Sequence, residues 1–375
     1  MRISRRQFLT ACGGTACSIP TLSRTAFAAA PSDSDDAKFI KEARYYEKLE
    51  GGKVRCTLCP HKCAVADRER GTCSVRENRG GKYYTLVHSR VCSMGVDPIE
   101  KKPLFHVLPG SQAFSIATAG CNMSCKFCQN WQISQFRPED VSKTVYYPPE
   151  KVVELAQGSG CKSIAYTYSE PVVFYEYVYD TAVAGRKKGV RSVIISNGFI
   201  CHDPIIELCK VLDAVKVDLK AFTEKFYRET CGGELKPVLD ALKTIKSTGT
   251  WLELVILIVP TLNDTQDEIR QMAEWVYANL GPDVPMHFSR FHPTYMIKNL
   301  PDTPVKTLEM ARETAVKAGI KFAYIGNVPM HPFESTYCPK CNELLIRRIG
   351  YTIDIVGLDN GSCKKCQTKM PGVWT

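Results

Sequence analysis

Three cysteines follow one another in Ala119-Gly120-Cys121-Asn122-Met123-Ser124-Cys125-Lys126-Phe127-Cys128, spaced C-x3-C-x2-C, directly after an apolar run that ends in glycine. Thiolates are the ligands of iron–sulfur clusters and of structural zinc, and both kinds of site usually take four. No fourth cysteine lies nearby in this loop. Thiolates at 121, 125 and 128 can hold three irons of a [4Fe–4S] cube and leave the fourth iron open to an exogenous ligand. The same logic separates open catalytic metal sites from closed structural ones. The competing reading of such a trio is a zinc or disulfide knuckle.

The chain has 18 cysteines, and two further sets have the count of closed sites. Near the C-terminus Cys338-Pro339-Lys340-Cys341 is followed, after 21 residues, by Cys363-Lys364-Lys365-Cys366. This is the pattern of a zinc ribbon or a rubredoxin-like iron site, with two disulfides as the alternative in an oxidising compartment. Near the N-terminus Cys56-Thr57-Leu58-Cys59-Pro60 leads to Cys63 and Cys73, with Cys92 as a spare. Four ligands there suit a second cluster or a zinc ion, in a structural or electron-relay role. Cys161, Cys201, Cys209 and Cys231 stand alone and read as small buried apolar residues.

These groups need a scaffold. The 375 residues allow one large α/β domain plus appendages. Residues 1–28 read as a twin-arginine leader: Ser4-Arg5-Arg6-Gln7-Phe8-Leu9, a weakly apolar stretch, then Ala26-Phe27-Ala28 as an A-x-A cleavage site. Residues 29–37 read as a linker. The formal net charge is +10, four units of it from Arg2, Arg5, Arg6 and Arg24 of the leader, so the remainder is only mildly basic. Basic blocks with interleaved aromatics are lacking, and nucleic-acid binding has no support. After the leader no apolar run reaches the ~18 residues of a membrane span.

Residues 38–110 form a cysteine-bearing module, 111–328 alternate strand and helix, and 329–375 carry the last cysteine pairs. Apolar, β-branched runs at 114–118, 163–168, 191–196, 213–219, 252–259, 285–291 and 321–325 predict strands. Helical patterns run at about 150–157, 172–188, 203–211 and 235–247, then from Asp264, with Asn263 as a cap, and from Thr303-Pro304. Six or seven β/α units imply a parallel sheet, here a partial (β/α)6-type, TIM-like barrel flanked by small cysteine-rich metal-binding modules. Reactive groups of such barrels lie at the C-terminal ends of the strands, and Cys121 follows the first strand closely.

With Phe127 before its last cysteine, the trio resembles the signature of radical S-adenosylmethionine (SAM) enzymes. Phe127-Cys128-Gln129-Asn130-Trp131, with Ile133-Ser134 and the Cys56-to-Cys63 run, is similar to the radical SAM member of the AmmeMemoRadiSam group, related to pyruvate formate-lyase activating enzymes. The resemblance covers most of residues 50–370. It implies a [4Fe–4S] cluster, SAM chelated to the open iron, reductive cleavage to a 5′-deoxyadenosyl radical, and hydrogen abstraction from an unidentified protein or small-molecule substrate. It also implies an electron donor of flavodoxin or ferredoxin type. The expected activity is that of a glycyl-radical activase or another radical modification; the alternative is a non-catalytic, exported electron carrier.

The same resemblance suggests SAM-pocket residues. In Tyr168-Ser169-Glu170-Pro171, Glu170 occupies the position of the acid that meets the SAM amino group, with a helix cap as its plain alternative. Asn197, in Ser196-Asn197-Gly198, and Asp218 with Lys220 end the next two strands, and Lys220 suits the SAM carboxylate by charge. Phe288-Ser289-Arg290-Phe291-His292-Pro293 resembles a Pro-Phe-His segment, which puts His292 near the ribose or adenine; His287 reads as a lining or core residue. Tyr166, Tyr168, Phe174, Tyr175, Tyr177 and Tyr179 fit ordinary packing. The leader predicts export to the periplasm, whereas SAM and strong reductants favour the cytoplasm.

Overall fold

Parallel strands buried on both faces read as continuous apolar runs, and seven such runs make the sheet that carries the site. The computed structural model describes residues 36–375, so the leader and all but the end of the linker lie outside the described residues. The parallel strands are β2 (Gln112–Ala117), β3 (Ser163–Tyr166), β4 (Arg191–Ser196), β5 (Ala214–Asp218), β6 (Trp251–Ile258), β7 (Met286–Arg290) and β8 (Ala323–Gly326). An eighth strand, β1 (Ser93–Pro98), pairs antiparallel with β2 from Ser93 opposite Ala117 to Pro98 opposite Gln112. The order across the sheet is strictly sequential from β1 to β8, and β1 and β8 do not pair with each other. The architecture is therefore α/β, an open sheet of mainly parallel strands.

The sequence reading missed β1. It belongs to the stretch assigned to the N-terminal cysteine module, yet it extends the main sheet, and residues 37–375 form one compact unit. Its side chains alternate, with Met94 and Val96 half exposed, so it lacks the continuous apolar run that marks the other strands.

Six helices cross between the parallel strands: α1 (Pro149–Gly158), α2 (Tyr175–Lys187), α3 (His202–Cys209), α4 (Leu235–Ser247), α5 (Gln266–Leu280) and α6 (Val305–Lys317). Each buries one apolar stripe; in α5 it is Ile269, Met272, Ala273, Val276 and Leu280. The cap of α5 is Thr265, whose hydroxyl accepts from the Glu268 N–H at 3.3 Å, and not Asn263. Asn263 instead turns inward. It accepts from Val259 N–H at 2.6 Å and donates to the carbonyls of Lys220 at 2.7 Å and Leu257 at 2.9 Å, fixing the loop after β5.

The flanking segments are short antiparallel sheets. Before β1 they order Lys41–Glu42, Lys82–Thr85 and Arg76–Arg79 in one, and Tyr46–Lys48, Val54–Cys56 and Ala64–Val65 in another. After β8, Thr336–Tyr337, Leu344–Ile349 and Thr352–Ile355 form a third, tied through Arg348, which donates to the Phe105 carbonyl ahead of β2 at 2.8 Å. Among the described residues no helix is long and apolar enough to cross a membrane.

Candidate active site

The loop after β2 enters through Gly120, whose φ of +97° favours glycine. A Cβ there would lie 2.5 Å from Val75 Cγ1 and 2.9 Å from the Cys73 carbonyl. The loop is pinned by backbone bonds rather than by packing alone. Gly120 N–H donates to Ile133, Ser124 N–H to Cys231 and Lys126 N–H to Thr230, at 2.8 to 2.9 Å. Its three thiols turn to one side and line a cavity of about 530 Å³ with Glu170, Asn197, Asp218 and Lys220, a size ordinary for a small-molecule site.

The thiols are supplied with hydrogen bonds. Cys121 Sγ accepts from Met123 N–H at 3.4 Å and lies 3.8 Å from Asn197 Nδ2, and Cys128 Sγ is 3.2 Å from Ser134 Oγ. Such bonds tune the potential of a thiolate-held cluster. Among the described residues, Cys121, Cys125 and Cys128 are not a set whose sulfurs all lie within 4.8 Å of one another. Such a spacing is compatible with thiolates that each take a different iron of one cube.

Glu170 is buried, and its plain reading as a helix cap holds. Its Oε1 caps the turn before α2 by accepting from Val172 N–H at 3.1 Å and also takes the Ser196 hydroxyl at 2.7 Å, while Oε2 takes Asn197 N–H at 2.8 Å. A carboxylate has about four acceptor directions, so one remains for a ligand. Burial pushes its carboxyl up to about 7, against these three hydrogen bonds.

Asp218 is shared by two ammonium groups, Lys216 within hydrogen-bonding contact and Lys220 at 3.5 Å. Burial opposes its ionisation, yet the two lysines hold its carboxyl below the ordinary range. Burial likewise works against charging Lys220, but Asp218 and the Cys125 sulfur beside it keep the ammonium charged. Lys220 also lies 5.7 Å over the ring of Phe127, so the aromatic of the cysteine motif packs against the cation of the next wall.

His292 is not brought to this cavity. Its side chain is 48% exposed and pairs through Nδ1 with Asp302 at 3.0 Å, although the chain after β7 returns to the cysteine loop, where Met296 N–H donates to the Lys126 carbonyl at 2.9 Å. His287 is buried in β7 and bonded to Glu253 at 2.7 Å.

Three features escaped the sequence reading. Tyr168, read as core, lines the cavity with φ at +67° and donates its hydroxyl to Asp97. Asp97 also takes Lys101 and Lys102 at 2.7 Å each and Ser115 at 2.8 Å. Cys231, read as isolated, is fully buried behind the loop, where its carbonyl accepts the Ser124 N–H and faces the Cys125 thiol at 4.0 Å. It does not line the cavity. Only a long-range contact places it there, and no local pattern could have shown it.

The comparisons agree with this geometry. Residues 115–276 match the model of the Radical SAM superfamily. An uncharacterized protein of Methanocaldococcus jannaschii is 45% identical over 333 residues, which cover 88% of this chain and 99% of that protein. A second uncharacterized protein of the same organism is 24% identical over 309 residues, 78% of this chain and 84% of its own. The pyruvate formate-lyase 1-activating enzyme of Escherichia coli is 28% identical over 166 residues, 42% of this chain and 65% of that enzyme. Family membership implies a [4Fe–4S] cluster and SAM as cofactors, and the cavity is lined by three thiols, a buried acid and a lysine. Seen from both the cavity and the sequence relatives, the chain is an enzyme that belongs to the radical SAM superfamily.

Proposed function

We propose that Cys121, Cys125 and Cys128 bind the [4Fe–4S] cluster, that the cavity in front of them holds SAM on the fourth iron, and that the enzyme generates a substrate radical in the manner of activating enzymes. The observation that carries this reading is the single cavity shared by three cysteines and the strand-end residues Glu170, Asn197, Asp218 and Lys220. When bound, the cluster and SAM together supply one-electron cleavage of the sulfonium and a 5′-deoxyadenosyl radical that abstracts hydrogen.

The protein's own share is positioning. Glu170 accepts the SAM α-ammonium with the acceptor direction left free by Val172, Ser196 and Asn197. Lys220 meets the SAM carboxylate, steadied by Asp218 and by the Asn263 bond to its carbonyl. Asn197 bridges the two halves, since its side-chain amide faces Cys121 and its backbone N–H holds Glu170. The relatives that bear an activating-enzyme name support an activase-like substrate, a glycyl residue in a partner protein, with a flavodoxin- or ferredoxin-type donor.

Anaerobically reconstituted protein, reduced in the presence of SAM, is expected to release 5′-deoxyadenosine, and the Cys121→Ala, Cys125→Ala, Cys128→Ala variant is expected to release none. Equal release by the two would refute the assignment. Export is part of the proposal as well: replacing Arg5 and Arg6 should shift the tagged protein from the periplasmic to the cytoplasmic fraction, and an unchanged distribution would remove the leader from the account.

A further inference from the structure

Four cysteines outside the active site converge on a second, small cavity. Cys56, Cys59, Cys63 and Cys73 all line it, although they come from a strand end, two turns and a separate loop. Arg76 lines the same space, fully buried, with its guanidinium bound to Glu176 and to the Val173 carbonyl at 3.3 Å. Tyr83 is also fully buried there, and its hydroxyl has no hydrogen-bond partner among the described residues. Between this hydroxyl and Cys63 stands Gly71, where a Cβ would come within 2.8 Å of Tyr83 Oη and 3.6 Å of Cys63 Sγ. The cradle therefore contains four soft ligands and an orphaned O–H donor, beside an arginine already paired with Glu176. Buried donors are rarely left unmatched.

The two outer cysteine sets differ in one respect. In the C-terminal quartet Cys338, Cys341, Cys363 and Cys366 have all sulfurs within 4.8 Å of one another. Their closest cross-pairs are 3.6 and 3.7 Å, near the ~3.8 Å edge of a tetrahedron with ~2.3 Å metal–sulfur bonds. The set at 56, 59, 63 and 73 does not gather so tightly. Thiolates that share a cavity but lie too far apart for one ion are the arrangement for a cluster, in which each takes its own iron.

This second cavity adjoins the first. Cys73 and Cys121 both line the shallow cleft between them, His61 of the second site bonds the Asn122 carbonyl at 2.7 Å, and the Cys73 carbonyl lies against Gly120. Electron tunnelling falls steeply with distance, so adjacency of this kind is what a relay needs. We propose that Cys56, Cys59, Cys63 and Cys73 hold a second, closed [4Fe–4S] cluster that passes electrons to the SAM-binding one.

With four thiolates this cluster has no free corner and binds no SAM. It accepts one electron from a low-potential one-electron donor protein and is reoxidised as that electron moves on to the first cluster; no atom or proton is transferred. The relay role rests on the active-site assignment above, whereas the presence of the second cluster does not.

The test is the iron and sulfide content and the electron paramagnetic resonance of the full chain, purified and reconstituted anaerobically. Beyond any iron at the C-terminal quartet, the native chain should hold about eight irons, and the Cys121→Ala, Cys125→Ala, Cys128→Ala variant about four, with a reducible signal indifferent to SAM. The Cys59→Ser, Cys63→Ser variant should lose the complementary half and keep the SAM-responsive signal. It should also show a lower ratio of donor-protein-driven to dithionite-driven SAM cleavage. An iron-free triple variant with native circular dichroism, zinc in place of iron at the second site, or an unchanged ratio in the double variant overturns the proposal. Failure of the active-site assignment would look different, since the triple variant would then keep all its iron.

Discussion

The Glu170 carboxylate accepts the backbone N–H of Asn197 at 2.8 Å, so the acid after β3 is locked to the end of β4 before any ligand arrives. The bond makes the pocket wall rigid, and it sets the pH behaviour of the site. Burial pushes the Glu170 carboxyl up to about 7, and only the ionised form attracts an ammonium group. SAM affinity should therefore rise roughly tenfold between pH 6 and pH 8 as the ionised fraction grows. Glu170→Gln should bind weakly with a flat profile. For the cofactor-free protein the sign is opposite: a carboxyl raised above its unfolded value makes the fold less stable as pH climbs from about 4.5 through about 7. Calorimetric titration across this range checks the first statement, and a pH-independent affinity in the native protein would contradict it.

Lys220 is expected to matter as a charge and not as packing. Its ammonium is held in place by Asp218 at 3.5 Å and by burial against Phe127. Lys220→Met keeps the length of the side chain and removes the cation, and should weaken SAM binding by about ten- to a hundredfold, the worth of a charged hydrogen bond. Iron content should stay the same. Unaltered SAM affinity would take Lys220 out of the recognition of the cofactor carboxylate.

Gly120 tests the entry to the loop. With φ at +97° and Val75 and the Cys73 carbonyl where a side chain would go, Gly120→Ala combines backbone strain with a clash. A loss of roughly 1–3 kcal/mol is expected. It would appear as a lowered Tm of the protein without added iron, so that cluster occupancy does not confuse the measurement. A Tm equal to the native value would mean that the loop is not held as tightly as its bonds indicate.

Much of this could be read from the chain. The seven parallel strands are mostly buried and rich in apolar residues because both faces are covered, and the helices between them keep one stripe, so periodicity found both. Glu170, Asn197, Asp218 and Lys220, which the family resemblance pointed to at the strand ends, line one cavity. What escaped had no local signature. The antiparallel β1 alternates and is half exposed. Asn263 resembles a cap but spends its side chain inward, on Val259, Leu257 and Lys220. His292 follows a strand as expected, yet pairs with Asp302 outside the pocket. Cys231 is more than 100 residues from the motif it supports.

The C-terminal quartet should hold one metal ion rather than disulfides. Cross-pairs at 3.6 and 3.7 Å are far longer than the ~2.05 Å of an S–S bond and match a tetrahedral site. Elemental analysis should give a tightly held ion that survives Cys121→Ala and is lost in Cys363→Ser, with a lowered Tm because Cys338 and Cys363 are part of a buried apolar cluster. Four thiols recovered as disulfides without added oxidant would contradict this.

Cys231 bears on the central claim closely, since its carbonyl faces the Cys125 thiol at 4.0 Å. It is fully buried and does not line the cavity, so it is expected to support Cys125 and to leave the fourth iron free. The most direct test is the electron paramagnetic resonance spectrum of the reduced, reconstituted Cys231→Ser protein, recorded with and without SAM. The account predicts full cluster content and a spectrum that shifts when SAM is added. A cluster lost with Cys231, or a spectrum indifferent to SAM, would show that the fourth iron is already ligated by the protein and would contradict it.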